Sequence, residues 1–183
     1  MHYPAKVLIS RITPWVYLGN WHAASCIDLL SNEDYQIKRI VSVTDDPRHR
    51  PSSEFCAQNN IEQIIFPIPY NFKFVDTEHV VLTSILPWIK EAEEESIPVL
   101  IHCQAGVSRS ASLTLTYLIW RGMPIDKVFL HLFASHPIAA PDFRTLSAFF
   151  ACISHEPPDA YRFLLLWRRS QSWFQRHIFT EEA

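Results

Sequence analysis

The sequence predicts an α/β domain, and two observations carry this prediction. Short apolar runs typical of strands alternate along the chain with longer segments whose apolar residues recur every three or four positions, as in helices. The chain has 183 residues, of which 48% are hydrophobic and 19% are charged, so its length and composition suit one domain with a sizeable core. We therefore expect strands and helices to alternate in a single folded unit.

Four elements are predicted in the first part of the chain. We expect a short strand around residues 15–18, a helix over about 23–30, and strands over 39–43 and 62–68. A loop that carries prolines and aromatic residues follows at 67–74.

The second part is predicted to be mainly helical around one buried strand. Thr77 can cap a helix that carries apolar side chains on one face. The run 98–102 is short and apolar, as buried strands are. After it, in order, we expect a helix over about 110–121 that is ended by Gly122 and Pro124, and helices over 125–135 and 142–154.

The C-terminal segment is predicted to be an addition to this domain. Beyond Pro157 and Pro158, residues 159–177 have the pattern of an amphipathic helix. Such a helix can pack on its own domain, or it can form a surface for a partner or for a second copy in a homodimer. We accordingly place the main domain at 1–155 and a helical extension at 156–183.

Composition and charge exclude several classes of protein. The net charge is −3 with both signs interspersed, so no basic surface for nucleic acid or for an anionic membrane is predicted. Residues 1–11 lack the pattern of a signal peptide, and no apolar stretch is long enough to span a membrane. The four cysteines are widely spaced, which disfavours a zinc site and a disulfide scaffold. A cytoplasmic protein is the expectation.

Residues 99–112 carry the pattern most informative about chemistry. A buried strand delivers Cys103 into a short loop, and the loop opens directly into a helix. Backbone N–H groups of such a loop and the positive end of the helix can together hold an anion such as phosphate. Gly106 permits the backbone torsions that the loop needs, and Arg109 can bind two phosphate oxygens with its planar fork.

The same groups should activate the cysteine. The N–H dipoles, the helix start and Arg109 favour the thiolate of Cys103 over the thiol, so the residue is a candidate nucleophile. Ser110 can donate its hydroxyl to the sulfur and help the thiolate to leave in a later step. His102 precedes the nucleophile, and we interpret it as ordering the loop by hydrogen bonds rather than as a base.

The pattern from His102 and Cys103 through five residues to Arg109 and Ser110 resembles the signature of the cysteine-dependent protein tyrosine phosphatases, in their dual-specificity branch. Three further segments resemble motifs of that branch, at 14–24, 117–121 and 136–142. The resemblance covers about residues 10–153. It implies a central twisted, largely parallel sheet flanked by helices, with the catalytic domain at 1–155.

The resemblance also implies an activity and a set of site residues. Family members hydrolyse phosphotyrosine and also phosphoserine or phosphothreonine in phosphorylated proteins or peptides, through a phosphocysteine and without a metal or an organic cofactor. Catalytic roles fall on Cys103, Arg109 and Ser110. Uncharged side chains at Gln104, Ala105 and Val107 favour protein substrates over inositol phospholipids. The predicted substrate-binding residues are Gln104, Ala105, Gly106, Val107, Ser108, Arg109 and Asn71.

The general acid is where this sequence departs from the family pattern. The family's aspartate lies about thirty residues before the cysteine, and the corresponding position is Asn71, which cannot donate and recover a proton in this way. Asp76 is the nearest carboxylate in the same loop, although a solvated residue at a helix start explains it equally well. Asp45 and Asp46 are more distant candidates, for which turn chemistry before Pro47 is a sufficient explanation.

Two other functions stay open at this point. One is a weakly active adaptor that binds phosphorylated partners, although binding alone does not require a nucleophile such as Cys103. The other is sulfur transfer of the rhodanese type, which also uses a loop cysteine but which the Gly106, Arg109 and Ser110 arrangement disfavours.

Overall fold

The computed structural model describes residues 6–68, 80–141 and 143–153. Its strands, in chain order, are β1 Ile9–Arg11, β2 Val16–Asn20, β3 Arg39–Ser42, β4 Glu62–Ile65 and β5 Val99–Cys103. Its helices are α1 Trp21–Ala24, α2 Ile27–Leu30, α3 Ser53–Gln58, α4 Leu86–Glu94, α5 Arg109–Trp120, α6 Ile125–Ser135 and α7 Phe143–Ile153. A 3₁₀ turn at Pro47–His49 follows β3, and a π-helical turn at Val81–Ile85 leads into α4.

The five strands form one sheet in the order β1-β2-β5-β3-β4. Strand β5 lies in the middle and pairs in parallel with β2 and β3, and β4 pairs in parallel with β3. Only β1 among these strands is antiparallel, to β2. The predicted α/β class and the largely parallel sheet are therefore confirmed.

Apolar residues cover both faces of this sheet. The larger cluster fills one face, where alternate strand residues such as Val41 and Ile101 meet side chains from α4 to α7. A smaller cluster on the other face includes Ile40 and Leu100, with Leu30 from α2. Burial on both faces explains why β5 is a continuous apolar run rather than an alternating one.

Helix α5 is buried along most of its length, since residues 109–118 have little contact with solvent. Its polar residues are accommodated by hydrogen bonds within the helix: the hydroxyls of Thr114 and Thr116 donate to the carbonyls of Ser110 and Ser112, both at 2.9 Å. The loop 104–108 therefore lies between two buried elements, with β5 at its start and α5 at its end.

The helix predicted over 23–30 is wrong as one element, because the structure contains two short helices there. The side chain of Asn20 accepts from the N–H of Ala23 at 3.0 Å and begins α1 at the end of β2. The backbone then becomes extended at Cys26, with φ −102° and ψ 98°, before α2 begins. Periodicity of apolar residues alone does not reveal such a break.

Three other elements were not predicted, namely β1, α3 and the 3₁₀ turn. Each is short, and α3 starts at a cap in which Ser52 Oγ accepts from the N–H of Phe55 at 3.1 Å. The predicted start of a helix at Thr77 and the predicted helix at 159–177 lie outside the described residues. No helix in the described ranges is long and apolar enough to cross a membrane.

Candidate active site

Cys103 is the last residue of the central strand β5 and lies beside Asn20, the last residue of β2. Its side chain is buried, and its Sγ accepts a hydrogen bond of 3.1 Å from the hydroxyl of Ser110, in the first turn of α5. The parallel strands thus bring the cysteine to the carboxyl edge of the sheet, where ligands bind in open α/β folds.

The loop after Cys103 is held by contacts to its carbonyl groups. The carbonyl oxygen of Gln104 accepts from the N–H of Trp21 at 3.3 Å, and that of Val107 accepts from the N–H of Ala140 at 2.9 Å. In a trans peptide the carbonyl of one residue and the N–H of the next point in opposite directions. The outward carbonyls therefore turn the N–H groups of Ala105 and Ser108 to the opposite side of the loop, as an anion cradle requires.

Gly106 is required by its backbone and by its neighbours. Its φ is +75°, in the region that favours glycine. A Cβ atom there would lie 2.8 Å from the carbonyl carbon and oxygen of Gly19 in β2, which is closer than such atoms approach. Close packing of the loop on β2 therefore depends on this residue.

His136 ties the same loop to the edge of the sheet. Its Nε2 donates to the carbonyl of Gly106 at 2.9 Å, and its Nδ1 accepts from the hydroxyl of Ser10 in β1 at 2.8 Å. Burial lowers the pKa of His136, and the hydrogen bond to Gly106 opposes this in part. A neutral ring satisfies both contacts, so His136 supports the loop. The sequence placed His136 only in a turn motif and gave no sign of this contact.

His102 is fully buried on β5 and is bonded on both ring nitrogens. Nε2 lies 2.7 Å from the hydroxyl of Ser42, and Nδ1 lies 3.3 Å from the carbonyl of Cys103. Burial lowers the pKa of His102 to about 4, and the charge of Arg109 acts in the same direction. A neutral ring with a hydrogen-bond partner at each nitrogen suits the predicted role of ordering the loop. It does not suit the role of a general base, because both nitrogens are already engaged.

Arg109 is buried at the first position of α5, with 9% of its surface exposed. Its Nη1 donates to the carbonyl of Ile68 at 2.9 Å and lies 3.6 Å from Oδ1 of Asp45. These contacts fix the guanidinium from the side of β3 and β4. The sequence pattern indicates only a turn at Asp45 and does not reveal its contact with Arg109, although parallel strands bring the residues that follow them to the same carboxyl edge.

The other predicted site residues divide into two groups. The first group forms the loop between Cys103 and Arg109, where Gln104, Val107 and Ser108 are half-buried and Ala105 is exposed. The second group, Asn71 and Asp76, lies outside the described residues.

All four cysteines are free thiols. The described part of the chain contains no group of three or more His, Cys, Asp or Glu residues arranged to hold a metal ion.

A cysteine at the end of the central strand, a curled loop and an arginine at the start of a buried helix place the chain in the class of the protein tyrosine phosphatases. The crystal structure of a mouse putative dual specificity phosphatase complexed with zinc tungstate has the same fold, with a TM-score of 0.65 at 20% identity, and the match covers 91% of this chain and 96% of the mouse one. This likeness concerns the fold alone.

Residues 16–144 match the family model described as dual specificity phosphatase, catalytic domain, and the chain belongs to this family. Dual specificity protein phosphatase Mpk3 of Drosophila melanogaster is 31% identical over 129 residues, which is 70% of this chain but 29% of that protein. Dual specificity protein phosphatase OPG106 of vaccinia virus is 27% identical over 132 residues, or 72% of this chain and 71% of that protein. The chain thus spans less than a third of the Drosophila relative.

Proposed function

We propose that the chain hydrolyses phosphate monoesters on tyrosine and on serine or threonine of phosphorylated proteins, through a phosphocysteine at Cys103. The observation that carries the proposal is the hydrogen bond of 3.1 Å from Ser110 to Cys103 Sγ, inside a loop whose carbonyls are turned outward. That arrangement supports a sulfur that is kept as an anion and that can both attack and leave.

The proposed reaction has two steps. The thiolate of Cys103 attacks phosphorus, a P–S bond forms, and the P–O bond to the side chain breaks as the leaving oxygen takes a proton. Water then attacks the phosphocysteine, inorganic phosphate is released and the thiolate is restored. The N–H groups of the loop and the fork of Arg109 stabilise the charge on the phosphoryl oxygens in both steps, and the hydroxyl of Ser110 stabilises the departing sulfur.

The loop side chains support proteins as the substrates. Gln104, Ala105 and Val107 carry no charge, whereas the family resemblance associates lysines at these positions with a preference for inositol phospholipids. The family match ends at residue 144 and the last described helix at Ile153, so a catalytic domain at 1–155 is part of the proposal.

The proposal is tested by measuring release of inorganic phosphate from peptides that carry phosphotyrosine, phosphoserine or phosphothreonine. We expect turnover of phosphotyrosine peptide that is stopped by orthovanadate, because vanadate can occupy the same cradle. Tight binding of the peptides without any release of phosphate would favour the adaptor function instead. Turnover of thiosulfate without turnover of phosphate esters would favour sulfur transfer.

The general acid is a separate prediction. We expect Asp76→Asn to lower turnover of phosphotyrosine peptide by about 10²- to 10⁴-fold if Asp76 protonates the leaving oxygen. An aryl phosphate with a good leaving group should be affected much less, because that group departs without protonation. Asp46 is poorly suited to this role, because hydrogen bonds from Arg48 hold the pKa of Asp46 well below its usual range.

The matched experiment is Asn71→Asp, which restores a carboxylate at the family's position. If Asp76 is only a solvated residue, its replacement should change little, and Asn71→Asp should raise phosphotyrosine turnover. Equal losses on both substrates in Asp76→Asn would point to folding or binding. No effect from either change would show that the proton comes from another group or from water.

A further inference from the structure

A chain of three side chains leads from the loop after β3 to the residue that follows the nucleophile. Oδ2 of Asp46 lies 3.2 Å from Nδ1 of His49, and Nε2 of His49 lies 3.2 Å from Nε2 of Gln104. Neither Asp46 nor His49 has a role in the proposed reaction, so their alignment with Gln104 calls for another explanation.

Asp46 is held as an anion in a fixed position. Its carboxylate accepts from the backbone N–H of Arg48 at 2.9 Å and from the guanidinium of Arg48, with Nη2 at 2.7 Å from Oδ2. These contacts hold the pKa of Asp46 well below its usual range. A permanent negative charge beside Nδ1 of His49 favours the form of the imidazole that carries its proton on that nitrogen.

The orientation of Gln104 matches a proton on Nδ1. Gln104 turns its NH₂ group to Nε2 of His49, and because an NH₂ group only donates, Nε2 is the acceptor in this contact. The carbonyl oxygen Oε1 of Gln104 is therefore not the atom bonded to His49. Within the described residues, the hydrogen bonds of the Gln104 side chain do not use that oxygen, which leaves it as an acceptor.

This acceptor belongs to the first residue of the loop that follows the nucleophile. Gln104 follows Cys103 directly, is half-buried, and its backbone is fixed by the N–H of Trp21. The Trp21 ring packs edge-on against His49, with 5.8 Å between ring centroids. Asp45, with a side chain that is 48% exposed, adds a second negative group near Arg109.

We infer that Asp46, His49 and Gln104 form a selectivity device that favours substrates with a hydrogen-bond donor beside the phosphorylated residue, best a lysine or arginine. The inference rests on the proposed function and specifies its substrates. The charge of Asp46 is balanced by its ion pair with Arg48, so the preference for a cationic donor comes from the Gln104 acceptor of fixed orientation and from the exposed carboxylate of Asp45.

The test uses phosphotyrosine peptides that differ only in the two residues that flank the phosphotyrosine, which are both lysine or both glutamate. We expect kcat/KM of the wild-type protein to be about 10-fold higher for the lysine peptide, as for one hydrogen bond to a charged group. In His49→Phe, which keeps an aromatic ring but cannot accept from Gln104, this ratio should fall several-fold. Since both substrates are measured on one sample, the ratio does not depend on the fraction of active protein.

A double-mutant cycle separates this mechanism from a general loss of packing. Gln104→Met removes the acceptor itself and should lower the ratio as His49→Phe does, and it stands alone as the test if His49→Phe does not fold. Combined with Gln104→Met, His49→Phe should have less than about 2-fold further effect on the ratio, because it acts through Gln104. The control His22→Phe replaces the other imidazole that packs on Trp21, with ring centroids 3.9 Å apart, and should leave the ratio unchanged.

Each outcome has a distinct meaning. A wild-type ratio near one, an unchanged ratio in His49→Phe, or an undiminished effect of His49→Phe in the Gln104→Met background overturns the inference. If neither the peptides nor an aryl phosphate is turned over, the proposed function itself has failed, and the inference falls with it. Turnover of aryl phosphate without peptide selectivity removes only the inference.

Discussion

A Cys103→Ser variant is expected to lose all phosphatase activity and still bind phosphopeptide. A serine hydroxyl at this position is far less acidic than a thiol, so the nucleophile disappears while the loop N–H groups and Arg109 remain. The hydrogen bond from Ser110 shows how closely the sulfur is integrated into the loop, since the donor and the acceptor come from the two ends of the same turn at 3.1 Å. Loss of phosphatase activity with retained binding of phosphopeptide is the result expected when a covalent nucleophile is removed and the anion-binding groups stay in place.

The measurements are phosphate release from phosphotyrosine peptide and equilibrium binding of the same peptide to both proteins. Cys26→Ser is the matched control, because Cys26 is a free, half-buried cysteine in the turn between α1 and α2, and it should retain activity. Turnover above background in Cys103→Ser would contradict a phosphocysteine. Loss of binding together with activity would indicate that the loop had collapsed, and thermal unfolding of the variant would show whether it had.

The segment from β5 into α5 was predictable because its signals are local. An apolar run, a glycine at a position that needs a positive φ and a helix that starts at Arg109 are neighbours in the sequence, so the strand, the loop and the helix can be derived without knowing the rest of the fold. The largely parallel sheet was implied by the family resemblance, but the order of its strands was not predicted, because alternation does not specify which strand lies in the middle.

Contacts between segments that are distant in the sequence were not predictable in the same way. His49 and Gln104 are 55 positions apart, and the 3₁₀ turn that brings them together was itself not predicted. His136, directly after α6, contacts Gly106 and Ser10, which lie 30 and 126 positions away in the sequence. Polar side chains in loops carry no periodicity, so their partners follow from topology rather than from pattern.

Short helices mark the other limit of sequence reasoning. One helix was predicted over 23–30, but the cap at Asn20 and the extended backbone at Cys26 produce two. The outcome matters for the site, since α1 places the N–H of Trp21 against the carbonyl of Gln104 at 3.3 Å. A single long helix would carry its first turn elsewhere, and the catalytic loop would lose that anchor.

The second large effect is expected for Arg109→Lys, which keeps the positive charge. We expect kcat/KM on phosphotyrosine peptide to fall by about 10²- to 10³-fold, as when a donor to a developing oxyanion is removed. The structure gives a specific reason. Nη1 of Arg109 is already bonded to the carbonyl of Ile68, so the planar group is oriented by the protein before substrate binds. A lysine ammonium carries its three donors on one nitrogen and lacks the planar fork, so it cannot hold the carbonyl of Ile68 and also present two parallel N–H groups to the phosphoryl oxygens.

The kinetic constants and a matched substitution decide between a clamp on the transition state and a general effect of charge. A loss mainly in kcat would mean that the arginine acts on the transition state, whereas a rise in KM alone would mean that it binds substrate and transition state equally. Arg121→Lys is the control: this arginine lies at the end of α5 away from Cys103, 3.6 Å from Glu93, and its replacement should change the rates little. Near-normal rates in Arg109→Lys would show that charge alone suffices and that the bidentate contact is not used.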